Sequence, residues 1–132
     1  MITPADLFGA NAEAQAIAPF DTMAGVCHFR AADGRRGGDL IVYTAQSLHG
    51  STAAAQFAHF TESWQGQTAT PLAPVAGVGD EARIAINLPG YQTQIVLRKG
   101  DRVAAILAWS GDPGMTGEAL ARQMATGVAA KL

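Results

Sequence analysis

Few residues in this chain are of a type and spacing that could do chemistry. The histidines are His28, His49 and His59, and no two of them have a zinc-ligand spacing on one helix face. Cys27 and His28 are neighbours on a strand-like run, so they project to opposite sides and cannot act as nucleophile and base there. A lone cysteine leaves no internal disulfide, and Cys27 reads as a small buried hydrophobe. Asp80 and Glu81 are adjacent carboxylates. On a strand they diverge, which suits Asp80 to holding a turn rather than to a shared acid–base pair. Asp80, Glu81 and Asp101 have no calcium-loop pattern and would make at most a weak cation site. Ser47 and Ser110 lack the glycine-x-serine-x-glycine elbow of a serine nucleophile.

Gly77-Val78-Gly79-Asp80-Glu81-Ala82 matches the permissive dinucleotide fingerprint. That motif works only between a strand and a helix, whose N-terminus holds the pyrophosphate. Here a strand pattern follows, and two carboxylates would repel phosphate. No phosphate loop ending in Gly-Lys-Ser/Thr is present. The expectation is therefore no cofactor, no metal and no catalytic residue set. The aromatic residues Tyr43, Trp64, Tyr91 and Trp109 could line an apolar pocket, although core packing also explains Trp64 and Trp109. His28 and Arg30, on the same strand-like run, add polar groups. These six positions are the binding candidates. Arg35 and Arg36 in a glycine-rich loop read as an exposed hairpin tip.

The elements that would position them follow from periodicity. Thr3-Pro4-Ala5-Asp6 is a helix start, with Leu7, Phe8 and Ile17 facing inward and Pro19 as the latest end. Gly9 weakens that helix and shortens it toward a single turn. Val26–Arg30 and Leu40–Thr44 read as a hairpin across the loop from Asp33 to Gly38. Ala53, Phe57, Phe60 and Trp64 form one helical stripe, capped by Ser51 and ended by Gly66. Residues 67–79 are a connector rich in proline and glycine, in which Val75 and Val78 suggest a brief edge strand.

Three strand runs come next, divided by the turns Leu88-Pro89-Gly90-Tyr91 and Lys99-Gly100-Asp101-Arg102. In the first, Ala82, Ile84, Ile86 and Leu88 take the core side. In the second, Tyr91, Thr93, Ile95 and Leu97 do so, with Gln92, Gln94 and Arg98 toward water and Val96 as the exception. The third, Val103–Trp109, is apolar on both faces and belongs in the middle of a sheet covered on both sides. Leu120, Met124, Val128 and Leu132 mark a closing helix. The expected fold is one α+β domain over residues 1–132, in the order α-β-β-α-β-β-β-α. Its five-stranded, mostly antiparallel sheet is a hairpin plus a three-stranded meander, with helices packed on it.

Composition narrows the partners. With 48% hydrophobic and 15% charged residues, the 132-residue chain can offset its conformational entropy by burial. A net charge of -2 gives no basic face for nucleic acid. No apolar run is long enough for a transmembrane helix, and residues 1–20 lack a signal peptide's basic start. Only Lys99 and Lys131 are lysines, and this arginine bias with heavy alanine use fits a bacterial gene of high GC content.

Cys27-His28-Phe29, Val78-Gly79-Asp80-Glu81-Ala82, Leu97-Arg98-Lys99-Gly100-Asp101 and the final Ala129-Ala130-Lys131-Leu132 stand in an order that resembles small exported bacterial lipoproteins and periplasmic domains of unassigned function. These look like members of the PsbP-like α/β sandwich group. The resemblance implies an antiparallel sheet with helices packed on it and a periplasmic or envelope-attached native precursor. It supplies no catalytic residues. Such families often place a cysteine just before the segment matching Thr3-Pro4-Ala5-Asp6, where it carries lipid or pairs at the position of Cys27. This chain has Met1-Ile2 there, so lipidation does not transfer. The leading expectation is a non-enzymatic binding or accessory domain of the envelope, for a protein partner or a small apolar molecule. The alternatives are a small enzyme using His28, Arg30, Tyr43 or Asp101, and a homo-oligomer mating through a strand edge or a helix face.

Overall fold

The computed structural model describes residues 14–21, 25–31, 35–43, 51–86, 93–111, 114 and 116–132. Among them are seven strands and two helices. The strands are β1 (Ala14–Asp21), β2 (Gly25–Ala31), β3 (Arg36–Tyr43), β4 (Ala73–Pro74), β5 (Glu81–Ile86), β6 (Thr93–Lys99) and β7 (Arg102–Ser110). The helices are α1 (Ala53–Gln65) and α2 (Gly117–Lys131). All seven strands form one antiparallel sheet in the order β1-β2-β3-β7-β6-β5-β4. The fold is α+β. The five expected strands are the five central ones, with β1 and β4 added at the edges.

β7 sits in the middle, as its apolar residues require. Its even-numbered residues Ala104, Ile106 and Ala108 join Leu40, Ile84, Ile95 and Leu97 in a cluster sealed by Leu120, Met124 and Val128 of α2. Its odd-numbered residues Val103 and Ala105 join Val96 and Ala85 under Ala53, Phe57 and Trp64 of α1. One helix therefore covers each face. Both helices start at a threonine cap: Thr52 and Thr116 accept from the backbone N–H groups of Ala55 (3.0 Å) and Ala119 (3.1 Å). Thr52, rather than Ser51, is the cap of α1.

The Val78–Ala82 motif is a clasp. The Asp80 N–H donates to the Arg98 carbonyl at 2.8 Å, and the Gly100 N–H donates to Asp80 Oδ2 at 2.7 Å. The Arg98 guanidinium donates to Glu81 Oε1 at 2.8 Å and lies 3.5 Å from Asp80 Oδ2. The hydrogen bond from Arg98 to Glu81, with the nearby negative charges, holds that guanidinium still more firmly protonated than usual, against a smaller opposing effect of burial. Asp80 thus holds a turn, as expected. Gly79 is needed on two counts: its φ is +61°, and a Cβ there would lie 2.6 Å from the Arg98 carbonyl oxygen. The connector is pinned as well. The Gln65 amide donates to the carbonyls of Thr68 (3.2 Å) and Thr70 (3.1 Å) and accepts from the Leu72 N–H (3.0 Å).

Several expectations change. Ile17 lies in strand β1, not on a helix. Pairing with β2 overrides the helix preference of the alanines, and Pro19 falls where the β1–β2 register shifts between Ile17 and Phe20. The rest of the expected first helix, the 88–91 turn, Thr44 and His49 lie outside the described residues. Gly37 and Gly38 are not loop residues but buried strand positions of β3. A Cβ on Gly38 would collide with the Leu107 carbonyl oxygen and stand 3.2 Å from Met124 Cε, so glycine lets β7 and α2 close in. The brief edge strand is Ala73–Pro74, and Val75 and Val78 are buried just beyond it. Ile86 is 39% exposed rather than in the core. Gln94, assigned to the water side, is only 5% exposed, because α1 covers that side of β6 too.

Glycine substitutions separate backbone strain from crowding. Gly77→Ala, at φ +74° with open space around it, should destabilise by about 1 kcal/mol in urea unfolding. Gly79→Ala, at a similar φ but against the Arg98 carbonyl, should lose about 1–3 kcal/mol more, as overpacked sites do. Equal losses would show that the Arg98 contact is not limiting.

Candidate functional site

Register sorts the α1 side of the sheet into rows that cross the strands. Glu81, Arg98, Val103 and Tyr43 form the first, nearest the β6–β7 turn. Arg83, Val96, Ala105, Ile41 and Val26 form the second. The third runs Ala85, Gln94, Leu107, Asp39, His28 and Ile17. The fourth runs Trp109, Gly37, Arg30 and Gln15. Successive rows are about 7 Å apart, and neighbouring strands about 4.8 Å.

Helix α1 covers only part of this side. Ala53 and Ala54 line a cleft with Arg98, Gly100 and Asp101, so the helix begins over the first row. Its 13 residues extend about 20 Å toward the third. Trp64, on its last turn, is 6% exposed and belongs to the cluster containing Ala85 and Val96. Sideways, the helix meets β3 through Phe60, whose ring stands edge-on to Tyr43 with centroids 5.8 Å apart. Phe60 also packs on Trp64 at 5.6 Å. His59 is exposed and meets only the edge of this aromatic run, its ring centroid 6.4 Å from that of Phe60.

The two faces of β3 and β7 are consequently unequal. Toward α2, Leu40 is 2% exposed, and Ile106 and Ala108 are fully buried. Toward α1, Ile41, Tyr43, Leu107 and Trp109 are all only partly buried, although their strands are central. A half-open apolar strip thus runs from Tyr43 to Trp109. Asp39 lies within it, and the register places His28 directly opposite Asp39 and Arg30 directly opposite Gly37.

The expected binding residues therefore largely share one face. His28, Arg30, Tyr43 and Trp109 occupy positions on it, and Trp64 comes down onto it from α1. Tyr91 lies outside the described residues. The side chains of His28, Arg30 and Cys27 likewise lie outside what is described. Of the residues in the enzyme alternative, His28 and Arg30 stand two positions apart on β2, while Tyr43 and Asp101 stand apart from them. Tyr43 is four residues from Asp39 along β3, about 13 Å from the row holding His28. Asp101 is exposed at the β6–β7 turn, beyond the first row.

Sequence reasoning did not single out Asp39, and it assigned Gln94 to solvent. The available signal was β7 itself: a strand apolar on both faces obliges its neighbour β6 to be covered on both faces too. Among the described residues no group of His, Cys, Asp and Glu is arranged to hold a metal ion. Asp80 and Glu81 face the Arg98 guanidinium instead. An open groove of about 510 Å³ runs between α1 and β5, lined by Thr61, Glu62, Gln65, Leu72 and Arg83, but no unsatisfied group marks it. No helix among the described residues is long and apolar enough to cross a membrane. No family model matches the chain, and neither does any curated protein or solved structure.

The two tryptophans should separate in stability measurements. Trp64→Ala should cost about 3–5 kcal/mol in urea unfolding, the usual loss for a buried aromatic. Trp109→Ala should cost less than half of that, since part of its ring already meets water. Equal losses would make Trp109 an ordinary core residue and close the strip.

Proposed function

We propose that this chain is a non-enzymatic binding or accessory domain of the bacterial cell envelope, and that it binds through the α1 side of β2, β3 and β7. One observation carries the reading: the middle strands of the sheet are covered on the α2 side except at half-buried Val42, but leave Ile41, Tyr43, Leu107 and Trp109 all partly open on the other. Apolar side chains on central strands are normally covered, and a strip left open beside a few polar groups has the make-up of a ligand surface. The ligand is a small apolar molecule or the apolar face of a protein partner. The envelope assignment rests on the resemblance of the Val78–Ala82 and Leu97–Asp101 motifs to small exported lipoprotein and periplasmic domains of the PsbP-like group.

Two features weigh against the other readings. An enzyme using Tyr43 or Asp101 together with His28 is disfavoured, because the rows hold them apart, which leaves it only His28 and Arg30 on β2. Mating through strand edges would need an open edge, yet β1 carries Pro19 and β4 carries Pro74. Proline removes a backbone donor and discourages edge pairing.

Titration with the fluorescent apolar probe 1-anilinonaphthalene should show saturable energy transfer from tryptophan, strongly reduced in Trp109→Phe, whose fold should be intact. An unchanged signal in that variant would remove the strip as the binding surface. Fractionation of the native bacterium should place the protein in the envelope. Recovery from the cytosol alone would overturn the compartment.

A further inference from the structure

The flank of α1 turned away from the strip closes over β5 as the groove of about 510 Å³, a size that suits a small ligand. Its lining includes Phe57, only 7% exposed, and half-buried Ala58 and Leu72. No lining group is an orphan cut off from water, and what distinguishes the groove is its charge. Arg83, half-buried on β5, donates to the Ala82 carbonyl of its own strand at 3.0 Å and makes no ion pair among the described residues. The carboxylates that share the groove do not serve it. Glu81, two residues away on the same face, is held by Arg98 at 2.8 Å. Glu62 stands exposed on α1, also without an ion pair among the described residues. Arg98 and Arg122 give the contrast, each facing a carboxylate of the chain. A guanidinium has five N–H donors in a planar fork, and one carbonyl engages little of it.

We infer that this groove binds a small carboxylate with an apolar body, such as an arylalkanoic acid, through an ion pair with Arg83. Two parallel hydrogen bonds from the guanidinium fork match the two oxygens of a carboxylate. The apolar body lies along Phe57, Ala58 and Leu72, where it withdraws carbon surface from water. The count of charges selects this class of ligand. With Glu81 balanced by Arg98, Arg83 and Glu62 are the charges left in the lining. One negative charge on the ligand is met by Arg83. A second, as on a phosphate monoester, would face Glu62 and Glu81 with no further cation lining the groove. An amine would have to approach Glu62, which is exposed and well solvated, while repelled by Arg83. The site is separate from the strip, which α1 meets on its other flank through Phe60 and Tyr43. The two readings therefore stand or fall independently.

3-Phenylpropanoate and its neutral amide, 3-phenylpropanamide, share one body and differ in charge. In titrations of the full chain labelled with nitrogen-15, the acid should shift the side-chain Nε–H signal of Arg83 and the backbone signals of Phe57 and Ala58. It should bind about 10-fold more tightly than the amide, as a charge-assisted hydrogen bond implies. Sodium chloride at about 0.5 M should weaken the acid and leave the amide unchanged. Arg83→Gln should bring the acid down to the affinity of the amide. A loss can also come from a damaged fold, so Glu62→Gln supplies a gain: with a like charge removed, the acid should bind about 2-fold more tightly and the amide as before. Equal binding of acid and amide, a preference that survives in Arg83→Gln, or no gain in Glu62→Gln would overturn the site. Shifts confined to the Trp109 indole would do the same, since the acid would then be seated on the strip instead.

Discussion

Everything in this fold follows from a strand that cannot show either face to water. Val103–Trp109 is apolar at consecutive positions, and Val103, Ala104, Ala105 and Ile106 are all fully buried. Burying both faces requires neighbours on both sides and a layer above and below. β3 and β6 supply the neighbours, α1 and α2 the layers. Roughly 25 cal/mol per Å² of apolar surface withdrawn from water drives that arrangement, and no other interaction in the chain acts over so many residues. The outer strands of the sheet each carry a proline, Pro19 in β1 and Pro74 in β4.

The polar motifs are fasteners on that frame. Asp80, Glu81 and Arg98 tie the connector from α1 to the β6–β7 turn. Lys99 reaches the other way, donating to the Ala129 carbonyl at 2.8 Å near the end of α2, where a cation suits the negative end of the helix. The residues that look most like a nucleotide fingerprint or a carboxylate pair thus do local mechanical work.

The open strip arises from a mismatch of lengths. The sheet is seven strands wide, and the helix on one side is 13 residues long and packs over β5, β6 and β7. What lies toward β3 and β2 on that side is left partly uncovered, and there the aromatic and polar candidates collect. Gly38 shows how strongly packing shapes the opposite face: a glycine that looks like a loop residue is a strand position where the sheet and α2 approach closely.

The amphipathic stripes Ala53–Trp64 and Leu120–Leu132, the two-sided β7, the tight turn at Gly100 and the role of Asp80 could all be read along the chain, because each depends on residues a few positions apart. So could the pairing of the hairpin β2–β3 and of the meander β5–β6–β7, but not the pairing of β3 with β7 or the addition of β1. β1 replaced part of an expected helix because β2 offered it an edge, a contact outside any local window. Binding candidates were legible as residue types, but their assembly on one face came from register, and a shift of one residue would have scattered them. Gln94 shows the limit most clearly. A glutamine in an alternating strand looks like a solvent-facing residue, and only the helix laid across it turned an ordinary polar side chain into a buried one. Sequence fixes which residues seek burial locally; the tertiary structure decides which polar groups are carried in with them.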